Sequence, residues 1–191
     1  MISRVPPRSR PYHHGNLRPA LLSAAIEEIE ESGPAAMSLR GVARRAGVTH
    51  AAAAYHFGDR AGLLTAVAAE GFGLVADALR EAHERTGSFL EVGVAYVRFA
   101  VTHRAHFEVM YRPELYNRDD AALVRARTAA AALLYGSEVP DTEHLAEGVA
   151  AWSIVHGVAT LWLNGNLPPQ LGDDPEEITR VVAAHLRTSR A

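Results

Sequence analysis

Thr49, His50, Tyr55, His56 and Arg60 crowd hydroxyl, imidazole, phenol and guanidinium groups around four consecutive alanines at 51–54. Alanine favours a helix and adds almost no bulk. A short helix with a bare face and polar ends suits close approach to something large. The chemistry on offer is contact with an anionic polymer. Arginine forks onto phosphate and guanine edges, helix N-terminal N–H groups bind phosphate, and an alanine methyl can touch a thymine methyl. Arg40, Arg44 and Arg45 stand just upstream. All 19 basic residues are arginine, and they are unevenly placed. The first sixty residues carry eight arginines against five acidic residues, and the remainder carries eleven against seventeen. A basic N-terminal part on an acidic body implies an anionic partner at one end.

A second constellation lies further on. Tyr96, Phe99, His103, Phe107, Met110, Trp152 and His156 combine aromatic bulk with a few polar tips. If they converge between helices they form an apolar pocket with hydrogen-bonding points. Aromatics at helical spacing also build plain core, and the sequence leaves both readings open. His13 and His14 are adjacent, and His103 and His106 sit at i, i+3, a spacing that can share a metal. No third histidine or carboxylate stands at matching spacing, and cysteine is absent. No metal site or cofactor is therefore assigned. A metal-responsive sensor or metalloenzyme built on His103 and His106 stays as the alternative function. No G-x-S-x-G nucleophile motif and no glycine-rich phosphate loop occurs, so no enzyme activity is expected.

Helices must position these groups. Asn16 is placed to cap a first helix with a stripe of Leu17, Leu21, Ala25 and Ile29, ended by Gly33 and Pro34. Ser38 caps a second, stopped by Gly47. Thr49 caps a third through about Phe57, and Asp59 a fourth, long one towards Thr86. Phe89, Val92, Tyr96, Phe99 and His103 step by three and four along one helix. Val149, Trp152, His156, Ala159 and Leu163 do so along another, which is apolar nearly all round and should be buried on both sides. No strand-like alternation persists, so the expected class is all-α. Residues 1–10 and the last few are expected to be disordered. No run of about 18 uncharged apolar residues and no secretory signal occur, so no membrane partner is expected. The absence of cysteine fits a reducing cytoplasm.

The second and third helices, at about 38–57, have the length and layout of a helix-turn-helix. YHHGNLRPALL (12–22), SLRGVARRAGVTHAAAAYHFGDRAGLL (38–64) and AAEGF (68–72) resemble the tetracycline-repressor (TetR) family of bacterial transcriptional regulators. WSIVHG (152–157) is similar to the C-terminal domain of a subgroup with a Trp and a His-Gly pair there. The resemblance implies an N-terminal three-helix DNA-binding domain at 12–72. It also implies an effector-binding and dimerisation domain at 73–191. The implied function is repression: a homodimer on palindromic double-stranded operator DNA, released by a small-molecule effector. Phosphate contacts would fall on Ser38, Thr49 and Arg60, and recognition contacts on His50, Ala51, Tyr55 and His56. The dimer surface would lie on helices at about 143–165 and 176–187. Two departures stand out. Many relatives place a phosphate-contacting tyrosine where this chain has Ala54. Gly41 stands where an acidic residue often completes a capping box with Ser38.

Overall fold

The computed structural model describes residues 17–135 and 142–185, and every regular element among them is helical. Asn16, His13, His14, Leu186 and the two ends expected to be disordered lie outside the described residues. Three short-to-medium helices come first: α1 (Leu17–Ser32), α2 (Leu39–Arg45) and α3 (His50–Phe57). The long α4 (Arg60–Thr86) follows, then α5 (Phe89–Thr102) and α6 (Arg104–Met110). After a 3-10 turn at Pro113–Leu115 come α7 (Ala121–Tyr135), α8 (Thr142–Leu163) and α9 (Pro175–Ala184).

The expected caps form. Ser38 Oγ accepts from the Gly41 N–H at 3.0 Å, Thr49 Oγ1 from Ala52 at 3.1 Å, and Asp59 Oδ1 from Gly62 at 2.8 Å. Each satisfies one N–H that the helix itself leaves unpaired. Between α2 and α3, Gly47 adopts φ 69°, the left-handed region that a side chain resists. The Val48 N–H then reaches back to the Ala43 carbonyl at 2.9 Å, which closes α2 and turns the chain into α3.

Leu21, Ala25, Val42, Ala53, Leu63, Leu64 and Val67 are wholly enclosed and tie α1–α3 to the start of α4. Further along, α4 packs against α5, α6 and α7, burying Val75 and Leu79. By length and composition α4 is apolar enough to cross a membrane, but 56% of that stretch is buried inside the protein, as befits a central core helix. Gly71 lets α6 approach closely: a Cβ there would lie 2.6 Å from the Met110 sulfur. α6 also touches α1, so the body contacts the N-terminal helices directly as well as through α4.

One expected helix is broken. The stripe from Phe89 to His103 runs on only to Thr102, and His103 sits between α5 and α6 at φ −123°, ψ 47°. No glycine or proline marks the break. The ladder holds as far as His103, whose N–H donates to the Phe99 carbonyl at 2.8 Å, and the Thr102 hydroxyl donates to the Arg98 carbonyl at 2.9 Å and lies 2.9 Å from His103 Nδ1. The apolar α8 also differs from expectation: one chain covers only one side of it. Val155, Val158 and Ala159 are buried, whereas Leu145, Val149 and Leu161 face outward.

Candidate nucleic-acid interface and ligand cavities

α3 presents the surface that its composition implies. Ala53 and Phe57 turn inward, while His50, Ala51 and Tyr55 are exposed and Ala54 and His56 half-exposed. Tyr55 is 86% exposed, an unusual position for a phenol in a folded chain. Its ring meets that of His56 edge-on at 5.4 Å. Ala54 stands beside it, and Tyr55 projects from a different side of the helix. Phe57 is held from the other side by the Arg18 guanidinium, 5.2 Å above its ring.

The α2 arginines divide by partner. Arg40 and Arg44 are exposed and form no ion pair among the described residues. Arg45 is held by α1: its guanidinium donates to Glu27 at 3.3 Å and twice to Glu31. That contact lowers the Glu31 pKa and raises that of Arg45. Arg60 is also engaged. Its Nε donates to the Met37 carbonyl at 2.9 Å and its Nη2 to the Pro34 carbonyl at 2.6 Å. These bonds tie the start of α4 to the α1–α2 connection, leaving Arg60 only part of its guanidinium for other contacts.

Gly41 has a physical explanation. Glu28 of α1 reaches across so that its Oε1 accepts from the Ser38 N–H at 3.1 Å, the bond that an acidic residue at 41 would otherwise supply. A Cβ on residue 41 would lie 2.5 Å from that same carboxylate oxygen. The capping carboxylate comes from another helix, and glycine leaves it room.

In the body, the aromatic constellation partly converges. Tyr96 Oη lies 2.8 Å from Tyr111 Oη and 2.9 Å from Nδ1 of His156. Phe107 and Trp152 pack around His156, with ring centres 5.4 and 5.2 Å away. Burial raises both tyrosine pKa values, that of Tyr111 to about 12, and lowers that of His156. The indole Nε1 of Trp152 is buried beside these two tyrosine hydroxyls, without a hydrogen bond of good geometry to either.

Two cavities flank this cluster. The larger, about 510 Å³, runs from Ser88, Phe89, Leu90, Val92 and Gly93 to Trp152 and Val155. The smaller, about 260 Å³, lies among Phe72, Met110, Tyr111, Tyr116 and Tyr135. Leu134 and Trp152 line both. Of the seven residues expected in the pocket, Trp152 and Met110 line a cavity. Tyr96, Phe107 and His156 form the polar aromatic wall behind, and neither cavity is lined by Phe99 or His103. Phe99 is core, and His103 stacks on it at 4.9 Å. Sequence reasoning passed over Tyr111, although it stands four residues after Phe107, and it passed over Leu134.

The histidines at metal-sharing spacing have other partners. His106 is buried with Nε2 3.1 Å from Glu70 Oε1, and its ring meets His103 edge-on at 5.9 Å. Among the described residues no three His, Asp or Glu side chains gather as a group able to hold a metal.

The fold and this exposed α3 define an all-helical protein with an N-terminal helix-turn-helix. Residues 21–67 match the family model for bacterial regulatory proteins of the tetR family, and residues 89–186 match that for the tetracyclin repressor-like C-terminal domain. The chain belongs to the TetR family of bacterial transcription regulators, and is a DNA-binding regulator by fold and domains. It is similar to a solved protein of unknown function from Rhodococcus sp. RHA1, at 32% identity and TM-score 0.77, covering 95% of this chain and 98% of that one. A tetR-family bacterial regulatory protein from Rhodococcus RHA1 is 21% identical, with TM-score 0.64 over 91% of this chain and 96% of that one. A TetR family transcription regulator from Marinobacter aquaeolei VT8 is 20% identical, with TM-score 0.62 over 88% and 93%. These last two share the fold. No curated protein sequence matches significantly.

Proposed function

We propose that this chain is a repressor that binds a palindromic operator as a homodimer and is released by a small-molecule effector. The observation that carries the reading is the α3 surface: His50, Ala51 and an outward Tyr55, beside the unpaired Arg40 and Arg44. A slim helix with hydrogen-bonding side chains suits the major groove, and flanking arginines suit phosphate. Ser38 and Thr49 each cap a helix N-terminus, where anions are favoured. Of the arginines, Arg40 and Arg44 are the freest for DNA. Arg45 and Arg60 hold the three-helix unit together and reach phosphate only with the donors left over.

The domains divide inside α4, near residue 72, with the DNA-binding unit before it and the ligand-binding unit after. Dimerisation uses α8 and α9. Leu145, Val149 and Leu161 of α8 and Val181 of α9 form the outward apolar face that a second copy would cover. The effector occupies the cavities around Trp152, and action on DNA places the protein in the cytoplasm. The test is a gel shift on DNA from upstream of the chain's own gene at several salt concentrations. Specific retardation that weakens steeply with salt supports the reading, and its absence on that DNA and on a selected random pool contradicts it.

A further inference from the structure

We propose that the effector is an amphiphilic carboxylate, with its anionic head in the smaller cavity between Arg118 and Arg127 and its apolar body past Leu134 and Trp152 into the larger one. This rests on the effector-cavity reading above. The two cavities differ in chemistry in a way that one ligand would match. The larger is lined by Phe89, Leu90, Val92, Leu134, Trp152 and Val155 with no charged side chain. The smaller is lined by two arginines and no acidic residue.

Neither Arg118 nor Arg127 forms an ion pair or side-chain hydrogen bond among the described residues. Most of the body's other arginines behave differently. Arg98 pairs with Glu176 at 2.5 Å, Arg180 with Glu91 at 3.0 Å, Arg104 with Glu108 at 2.8 Å, and Arg80 with Asp77 at 2.7 Å. Arg127 is half-buried on α7, and the residues three, four and seven further on, Ala130, Ala131 and Leu134, line the same cavity. The α7 face thus runs from a cation, past two small residues, to the apolar wall shared by both cavities. A guanidinium fork binds a carboxylate through two parallel N–H···O bonds. Tyr116 spends its hydroxyl proton on the Met110 carbonyl at 2.7 Å, so it adds no free donor. Trp152, in the wall common to both cavities, keeps its buried Nε1–H beside the Tyr96 and Tyr111 hydroxyls and adds ring contact, so the arginines are the cavity's free donors. The smaller cavity therefore offers donors in search of an acceptor, and the larger offers only apolar contact. A neutral apolar ligand would leave the first unused, and a small inorganic anion would leave the second empty.

The test is isothermal titration calorimetry of the full-length protein with decanoate and decan-1-ol, which share a chain and differ in charge. Decanoate should bind at least about tenfold more tightly. The double variant Arg118→Gln/Arg127→Gln should lose that advantage and leave decan-1-ol binding unchanged. Leu90→Trp, which fills the larger cavity, should weaken both ligands. Arg118→Gln alone changes an exposed side chain and keeps the comparison usable if the double variant unfolds. Equal affinity for the two ligands, or an unaltered decanoate preference in the arginine variants, overturns the anionic head site while the cavity reading stands. Failure of both ligands to bind the wild-type protein overturns the cavity reading and this proposal with it.

Discussion

Arg60, where the family resemblance implies a phosphate contact, also braces its own chain. Its guanidinium donates to the Met37 and Pro34 carbonyls, so Arg60→Ala strips both of their charged donor. A charge-assisted hydrogen bond contributes about 1.5–3 kcal/mol, and the half-exposed setting places the loss near the lower end. The expected result is a lowered melting temperature, with DNA affinity falling by a similar factor on every sequence. An unchanged melting temperature with a salt slope reduced by about one unit would return Arg60 to the phosphates. His50 and Tyr55 should behave oppositely. Replacing either with alanine is expected to cost roughly 1–3 kcal/mol on the operator and little on random DNA, with stability intact. His156 is the group to follow with pH. Burial lowers its pKa in the folded protein, so the unfolded chain binds its proton first as pH falls. The stability that neutral His156 contributes is full above about pH 6.5 and declines below it. His156→Gln should flatten that decline in melting temperature, and an unaltered profile would assign it to another group.

Among the elements, the DNA-binding helices are legible in the amino-acid sequence because caps, stops and stripes agree there. Ser38, Thr49 and Asp59 each cap the helix expected of them. The aromatic body is less legible. Its stripe through His103 has the right period, but period reports a face and not continuity, and the helix ends at Thr102 without a breaker residue. The pocket suffers similarly: spacing selects Phe99 and His103, which are core and its edge, and does not reveal Leu134 or the arginines that only the α7 packing brings near. Gly41 illustrates a contact between helices that no local pattern contains. Glu28→Ala should destabilise the protein by about 1 kcal/mol, because it leaves the Ser38 N–H without its carboxylate, whereas Gly41→Ala gains helix propensity that offsets the shift its Cβ forces on Glu28. Glu28→Ala combined with Gly41→Glu moves the carboxylate onto α2 and should recover much of that loss in a denaturant melt. No loss in Glu28→Ala would mean that the Glu28 contact contributes nothing, and equal loss in the double variant that a carboxylate on α2 cannot replace it.

Across the whole molecule, α4 joins the two functions. It begins at Arg60 against the α1–α2 connection and carries Phe72 into the lining of the smaller cavity. In the proposed dimer, pressure on Phe72 would therefore act on the helix that carries the DNA-binding unit, and with it on the spacing of the two recognition helices, which on B-DNA would have to be about 34–36 Å. A ligand shifts that spacing only by its differential affinity for the two arrangements, and a hundredfold preference is about 2.7 kcal/mol. The most direct measurement is fluorescence anisotropy of the full-length protein on its upstream DNA and on a scrambled duplex across a salt series, repeated with Tyr55→Ala. Wild type should prefer its own DNA by at least about a thousandfold, with log affinity falling linearly in log salt on both duplexes, and Tyr55→Ala should lose part of the preference but not the slope. Equal affinity for the two duplexes, or a Tyr55→Ala variant with undiminished preference, would contradict a recognition role for this face of α3.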